Sequence, residues 1–279
     1  MPWSMQIRHL FFALPILLAA SSPTPSAEEK DWIDLTSLDL WRKPDKLWEL
    51  ADSVAVDADH PKLLTAKAGT GILVNGKKGR ARDLLSKRDF GDVEVHVEFF
   101  IPKGSNSGVK LQGLYEIQIC DSWGIKDPKG SDCGGIYPRA EFKPKYHYID
   151  KGVPPRVNAC KKPGEWQTLD IVFQAPRFDA EGKKTGNARF LKVTLNGEVI
   201  HDNVEAATPT GHAWHRKESA MGPLLLQGDH GPVAFRHVRI LPYVAARPEE
   251  GRWSRMNQMC PDRIKWASYL TRVIGQSIS

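Results

Sequence analysis

Glu116 and Gln118 stand two apart in the run Tyr115–Ile119 (YEIQI). On an extended backbone both project from one face, opposite Tyr115, Ile117 and Ile119. A carboxylate so placed is a candidate base or cation ligand, and it is equally what a solvated strand face carries. A second stretch, Gln227-Gly228-Asp229-His230-Gly231, sets an acid–imidazole pair between two glycines. The glycines let the backbone turn tightly and present both side chains, and histidine exchanges protons near neutral pH. The same histidine could simply stabilise the turn. The third stretch, Ser105-Asn106-Ser107-Gly108 ahead of Lys110, reads as a turn by composition. It supplies an amide and an ammonium, or merely closes a loop. Together these groups make an acid–base set with hydrogen-bond donors, the equipment of proton-transfer chemistry.

Two further side chains adjoin the set. Arg236 follows the glycine-flanked turn and can hold a ligand oxygen or pair with a strand-face carboxylate. Trp123 follows YEIQIC and can stack on a ring or pack at a sandwich edge. Glu94, His96 and Glu98 alternate on one strand face; a solvated outer face is the default, and a concave one would bring Glu98 into the site. Asp121 can cap its loop or help bind an ion. His212 and His215 lie three apart around Trp214, but no third ligand follows at a useful spacing, so they are read as loop residues and no metal set is assigned. Cys120, Cys133, Cys160 and Cys260 lack the close C-x₂-C spacing of a zinc site. They stand as free thiols or as up to two disulfides, with Cys120 and Cys133, which flank a Gly/Asp/Pro-rich loop, the expected pair.

What must position these groups has a period of two. Asp92–Ile101 (DVEVHVEFFI) puts Val93, Val95, Val97 and Phe99 on one face and Glu94, His96 and Glu98 on the other. The runs at 115–119, 167–173, 190–195, 224–227 and 233–241 repeat the pattern. Asn196-Gly197 predicts a two-residue type I′ hairpin into Glu198–His201. Between 90 and 243 no segment has a convincing helical pattern. Many antiparallel strands of this kind bury their apolar faces as two packed sheets, an all-β sandwich.

The 279 residues carry 39 Lys and Arg against 33 Asp and Glu, a net charge of +6 spread along the chain. With no basic block, a nucleic-acid partner has little support. Residues 10–20 (LFFALPILLAA) form an apolar run too short to span a bilayer and shaped like a signal-peptide core, with an A-x-S-like cleavage site at Ala20-Ser21-Ser22. The chain is therefore expected to be exported to the periplasm or medium, with no membrane anchor left after cleavage. The expected organisation is a leader at 1–22, a flexible stretch at 23–30, one domain at 31–243 and an extension at 244–279 to which no role is assigned.

Several blocks resemble one family in order: GDVEVHVEFFIPKGSNSGVKLQG at 91–113, YEIQICDSWG at 115–124, CGGIYP at 133–138, NACKKPGEWQTLDI at 158–171, LNGEVIHDN at 195–203 and GPLLLQGDHGPVAFRHVRI at 222–240. This is similar to the bacterial 3-keto-disaccharide hydrolase family. The resemblance implies a concanavalin A-like jelly roll and a carbohydrate substrate, a 3-keto glycoside, cleaved by elimination across C1–C2 and hydration. A C3 ketone acidifies the C2 proton. Such a site therefore needs a base, an acid for the leaving oxygen, and donors or a divalent cation facing the C3 oxygen. Under that expectation Glu116, His230 and Asp229 are the catalytic candidates. Gln118, Asn106, Lys110, Gln227, Arg236 and Trp123 are the substrate-binding candidates. The segment Arg139–Arg156 departs from the family's usual connection in being longer and more basic.

Three classes remain open on the sequence: this enzyme, a carbohydrate-binding module on the same sandwich, and an exported interaction domain. A sandwich serves all three. The discriminating observation is whether Glu116 and His230 share a face.

Overall fold

The computed structural model describes Met1 and residues 31–243. The expected leader, the stretch 23–30, the extension 244–279 and Cys260 lie outside the described residues. In chain order the strands begin with β1 (Ile33–Asp34), β2 (Glu49–Val56), β3 (Leu64–Val74), β4 (Leu84–Phe90) and β5 (Val93–Phe100). They continue with β6 (Asn106–Leu111), β7 (Tyr115–Cys120), β8 (Ala140–Glu141), β9 (His147–Tyr148) and β10 (Gln167–Gln174). The last are β11 (Arg177–Phe178), β12 (Lys184–Gly186), β13 (Ala188–Leu195), β14 (Glu198–Ala206), β15 (Gly222–Leu226) and β16 (Ala234–Pro242). A 3₁₀ turn at Leu38–Leu40 is the one helical element among the described residues. Among them no helix is long and apolar enough to cross a membrane.

Two sheets make the expected antiparallel sandwich. The larger runs β14-β13-β10-β5-β16-β3-β2, with β1 added against β16, and the smaller runs β4-β15-β6-β7. The alternation works as the sequence requires: Val93, Val95, Val97 and Phe99 of β5 are buried while Glu94, His96 and Glu98 are partly exposed. The two inner faces meet through large rings. Tyr115 of β7 lies 5.4 Å from Phe173 of β10, and Phe173 lies 5.4 Å from Phe190 of β13. Each such ring contributes about 1.5–3 kcal/mol through burial. Asn196 and Gly197 both have positive φ, 52° and 90°, which is the type I′ geometry joining β13 to β14.

Two expectations are corrected here. Residues 106–108 are strand, not turn: β6 is hydrogen-bonded on both sides, to β7 and to β15. Tertiary pairing outweighs the turn propensity of Ser, Asn and Gly, and Ser107 turns its hydroxyl to the Gln227 carbonyl at 2.7 Å. The second concerns the cysteines. Cys120, Cys133 and Cys160 are all free thiols, so the expected Cys120–Cys133 disulfide is not formed. The Cys120 sulfur turns instead to the Ser122 hydroxyl, 3.2 Å away, and burial pushes its thiol up to about 12. Cys133 shares a hydrogen bond with Cys160; that bond and burial hold the Cys133 thiol well above its ordinary value.

Beyond the free edge of β7, residues 134–137 add a further backbone ladder. Gly134 N–H donates to Gln118 O at 2.8 Å, Gln118 N–H to Gly135 O at 2.9 Å, and Tyr137 N–H to Glu116 O at 3.1 Å. The β8–β9 hairpin then leaves the sandwich and returns. Its base is clasped by Asp150, which accepts from the Arg139 backbone N–H at 3.1 Å and from Arg139 Nε at 2.6 Å.

Candidate active site

The register of the small sheet sets which side chains share its outer face. Glu116 pairs with Lys110, Gln118 with Gly108, and Cys120 with Asn106. Leu225 of β15 pairs with Lys110 on one side and Leu85 of β4 on the other. Across β7, Ile136 bridges to Ile117, which puts Tyr137 beside Glu116. Since Tyr115, Ile117 and Ile119 fill the core, one outward row reads Leu225, Lys110, Glu116, Tyr137.

Glu116 is 3% exposed, and its Oε2 lies 3.1 Å from Lys110 Nζ. Its backbone N–H donates to Thr210 Oγ1 at 3.0 Å, and Thr210 in turn donates to Leu114 O, which fastens the 208–213 loop over the site. Burial raises the Glu116 carboxyl above the ordinary range; Lys110 opposes this, Asp83 adds to it and His230 opposes it. The result is a carboxylate with enhanced basicity, held against an ammonium in a protected position. Gly108 is what makes room: a Cβ there would lie 3.1 Å from the Glu116 Cδ and closer still to Oε1.

Asp229 and His230 sit just beyond the end of β15, about half exposed, with His230 Nδ1 in hydrogen-bond contact with Asp229 Oδ1 and His230 near enough to Glu116 to act on its carboxyl. The fully buried Asn75 builds this turn. Its Nδ2 donates to Gly228 O and to Gly231 O, both at 2.8 Å, and its Oδ1 accepts from Val233 N–H at 2.8 Å. Gln118 and Gln227 flank Gly108, and each buries a side-chain oxygen that has no hydrogen-bond partner. Gln118 Nε2 donates to Ser131 O at 3.3 Å. Asn106 shares the face but stands four residues along β6 from Lys110, roughly 13 Å at strand rise, beside the backbone of Gly231.

Arg236 is not part of this arrangement, and its sequence-based placement there is corrected. It lies on the outer face of the large sheet, where its Nε donates to Glu98 Oε2 at 2.7 Å and its guanidinium covers the Trp166 ring at 4.0 Å. Glu98 also accepts from His237 at 2.8 Å. After the glycine turn the chain passes from β15 of the small sheet to β16 of the large one, so neighbours in sequence end on opposite sides of the sandwich. Trp123 stands 54% exposed beyond the end of β7 with Lys162 Nζ 5.0 Å from its ring centre.

Two contributors, Asp83 and Tyr137, carry no signal in the sequence, and a third, His212, reads there only as a loop residue. Asp83, just before β4, accepts from Gly228 N–H at 3.0 Å; burial raises its carboxyl, Asp229 adds to that, and Lys110 and His230 oppose it. It hides in a charged run (RARD), where only the pairing of β4 with β15 singles it out. Tyr137 arrives through the added ladder. His212, whose imidazole burial and Lys110 both hold below its usual value, packs 5.1 Å from the Phe142 ring. Among the described residues no three His, Cys, Asp or Glu side chains are grouped as a metal site.

Residues 30–241 match the model of the 3-keto-alpha-glucoside-1,2-lyase-like domain. No curated protein matches the chain significantly. Two solved structures from Parabacteroides distasonis ATCC 8503, each provisionally described as a glycosyl hydrolase, are similar to it. One shows 24% identity over 76% of this chain and 84% of its own, with a TM-score of 0.49. The other shows 20% identity over 76% and 99%, with a TM-score of 0.48. The carbohydrate-binding module CBM66 from Bacillus subtilis is similar at 12% identity over 70% and 94%, with a TM-score of 0.29.

Proposed function

The chain belongs to the 3-keto-alpha-glucoside-1,2-lyase-like family, a carbohydrate-active one, and from that premise we propose that it cleaves 3-keto glycosides at the outer face of the small sheet. The observation that carries this is the buried Lys110–Glu116 pair, a basic carboxylate with a fixed cation beside it. Glu116 takes the C2 proton, and the freed electron pair forms the enolate onto the C3 oxygen. Before the transfer Lys110 neutralises Glu116. Afterwards the negative charge has moved to the enolate, and Lys110 is already in place to stabilise it without reorganisation. The enolate then re-forms the C3 carbonyl and a C1=C2 bond as the C1–oxygen bond breaks. The leaving oxygen takes its proton from His230, which Asp229 orients and supports as a cation. Water added across C1=C2, hydroxyl to C1 and proton to C2, completes a net hydrolysis. Gln118 and Gln227 offer buried acceptors for sugar hydroxyls.

The test is purified protein incubated with 3-keto-glucosides and with the parent glucosides, with and without chelator. Product from the keto sugars alone supports the elimination, and loss with chelator adds a divalent cation to it. Glu116→Gln keeps an oxygen for Lys110 but removes the basicity, and turnover per folded molecule should fall by about 10²–10⁴. Sugar binding without turnover by the wild type would instead assign this face to a carbohydrate-binding module.

A further inference from the structure

The hairpin that rises past Tyr137 leaves three large rings in water. Phe142 is 61% exposed and Tyr146 and Tyr148 are each 46% exposed. They are nonetheless fixed. Tyr137 Oη lies 3.0 Å from Tyr146 Oη and 3.1 Å from Tyr148 Oη, so the phenols anchor one another through their polar ends. Ring centres stand 5.7 Å apart for Phe142–Tyr146 and 5.8 Å for Tyr146–Tyr148. The hydroxyl ties hold Tyr146 and Tyr148 from their edges, the rings meet at interplanar angles of 57° for Phe142–Tyr146 and 76° for Tyr146–Tyr148, and about half of each stays open to solvent. The cluster is continuous with the site, because Tyr137 shares the row of Glu116. The Gly211 backbone lies between the two: a Cβ there would be 3.8 Å from Glu116 Oε2 and 3.8 Å from the Tyr137 ring.

We propose that this hairpin is the leaving-group subsite: the ring carried on the C1 oxygen of the substrate packs among Phe142, Tyr146 and Tyr148, stacking on the face of one and meeting the others at their edges. The inference rests on Glu116 as the base, since whatever departs from C1 must lie next to that carboxylate. The occupant is a ring with a flat apolar surface, whether a second pyranose or an aryl group. An alkyl group has no such surface. Rigid aromatic groups bind at small entropic cost, and a ring–ring contact is worth about 0.5–1.5 kcal/mol, close to 2–12-fold in affinity.

The probes are methyl, phenyl and glucosyl 3-keto-glucosides, compared on the wild type, Phe142→Ala, Tyr148→Ala and the double variant. Phe142 makes no hydrogen-bond tie to the phenols, so its removal is the cleaner change. The ring-to-methyl ratio of kcat/KM should fall about 3–10-fold for each ring removed, chiefly through KM. A fall for both phenyl and glucosyl assigns any flat ring to the subsite, and a fall for one alone names the source. An unchanged ratio, with methyl and ring probes losing equally or not at all, overturns the proposal. The same ratio is read as Kd on Glu116→Gln with and without Phe142→Ala. Absence of turnover in the wild type would sink the role of Glu116, while the Kd ratio would still decide the subsite.

Discussion

Adding one methyl group at Gly108 tests whether the position of the Glu116 carboxylate matters. Gly108 has no left-handed backbone, so alanine fits the strand conformation. The new Cβ would lie 3.1 Å from Cδ and 3.2 Å from Cγ of Glu116, and nearer to Oε1. Carbon contacts relax only at about 3.5 Å or more, so the carboxyl group must retreat on the order of 1 Å. Both oxygens are rigidly joined, so Oε2 then leaves its place 3.1 Å from Lys110 Nζ. Overpacking costs about 1–3 kcal/mol, and the loss of unfolded-chain freedom on replacing glycine returns about 0.4–1 kcal/mol. A net loss of about 0–2.5 kcal/mol lowers Tm by roughly 0–10 °C, so Gly108→Ala should fold. A 1 Å misplacement of a catalytic group costs about 10²-fold in rate. The assay pairs kcat on a 3-keto-glucoside with a thermal melt, repeated in the Glu116→Ala background where the clash is absent. The melting losses should then be less than additive, by about 0.5–3 kcal/mol. Full kcat in a folded Gly108→Ala enzyme would refute the carboxylate's role, and strictly additive losses would refute the contact.

Gly197→Val should cost about 1–3 kcal/mol, read as a lower denaturation midpoint. Nothing lies within 4 Å of the added Cβ, so the cost is the strain of a β-branched residue at φ 90°. Asn75→Ala removes three buried hydrogen bonds from the turn that carries His230, so it should lose about 2–4 kcal/mol and lower kcat as well; a normal melting temperature would show that the clamp is dispensable. Burial holds the His201 pKa below 6.5, and the neutral ring shares a hydrogen bond with Gly134 O at 2.7 Å. The unfolded chain therefore binds the proton first. The stabilisation is complete above about pH 6.5 and is lost as pH falls below it, by at most about 1.4 kcal/mol per pH unit. Urea midpoints taken from pH 7 to pH 5 should show this slope, and His201→Gln should flatten it.

The sandwich is legible because β5, β7 and β10 alternate apolar and polar residues along the chain, and alternation is a local property. Pairing is not local. That Lys110 faces Glu116 depends on a register between strands, and YEIQI gives no hint of its neighbour. Asp83 does not stand out for the same reason, and Arg236 lies away from the site because adjacency along the chain is not adjacency in space. Residues 105–108 misled in another way: their small polar side chains favour turns, yet at 107 and 108 they allow close packing between β7 and β15 with the Glu116 carboxyl overhead.

The Arg139–Asp150 clasp has an evolutionary corollary. Both ends of the hairpin are fastened to each other, and Ile149 N–H donates to Arg139 O at 2.8 Å to close the neck. Lys110 and Glu116, by contrast, are held by ladders that run through the sheet. Residues 140–149 are thus an exchangeable cartridge. Insertions, deletions or a grafted loop can be accepted between these two anchors while the strands that carry Lys110 and Glu116 keep their register, so the aromatic surface can vary without disturbing the buried ion pair.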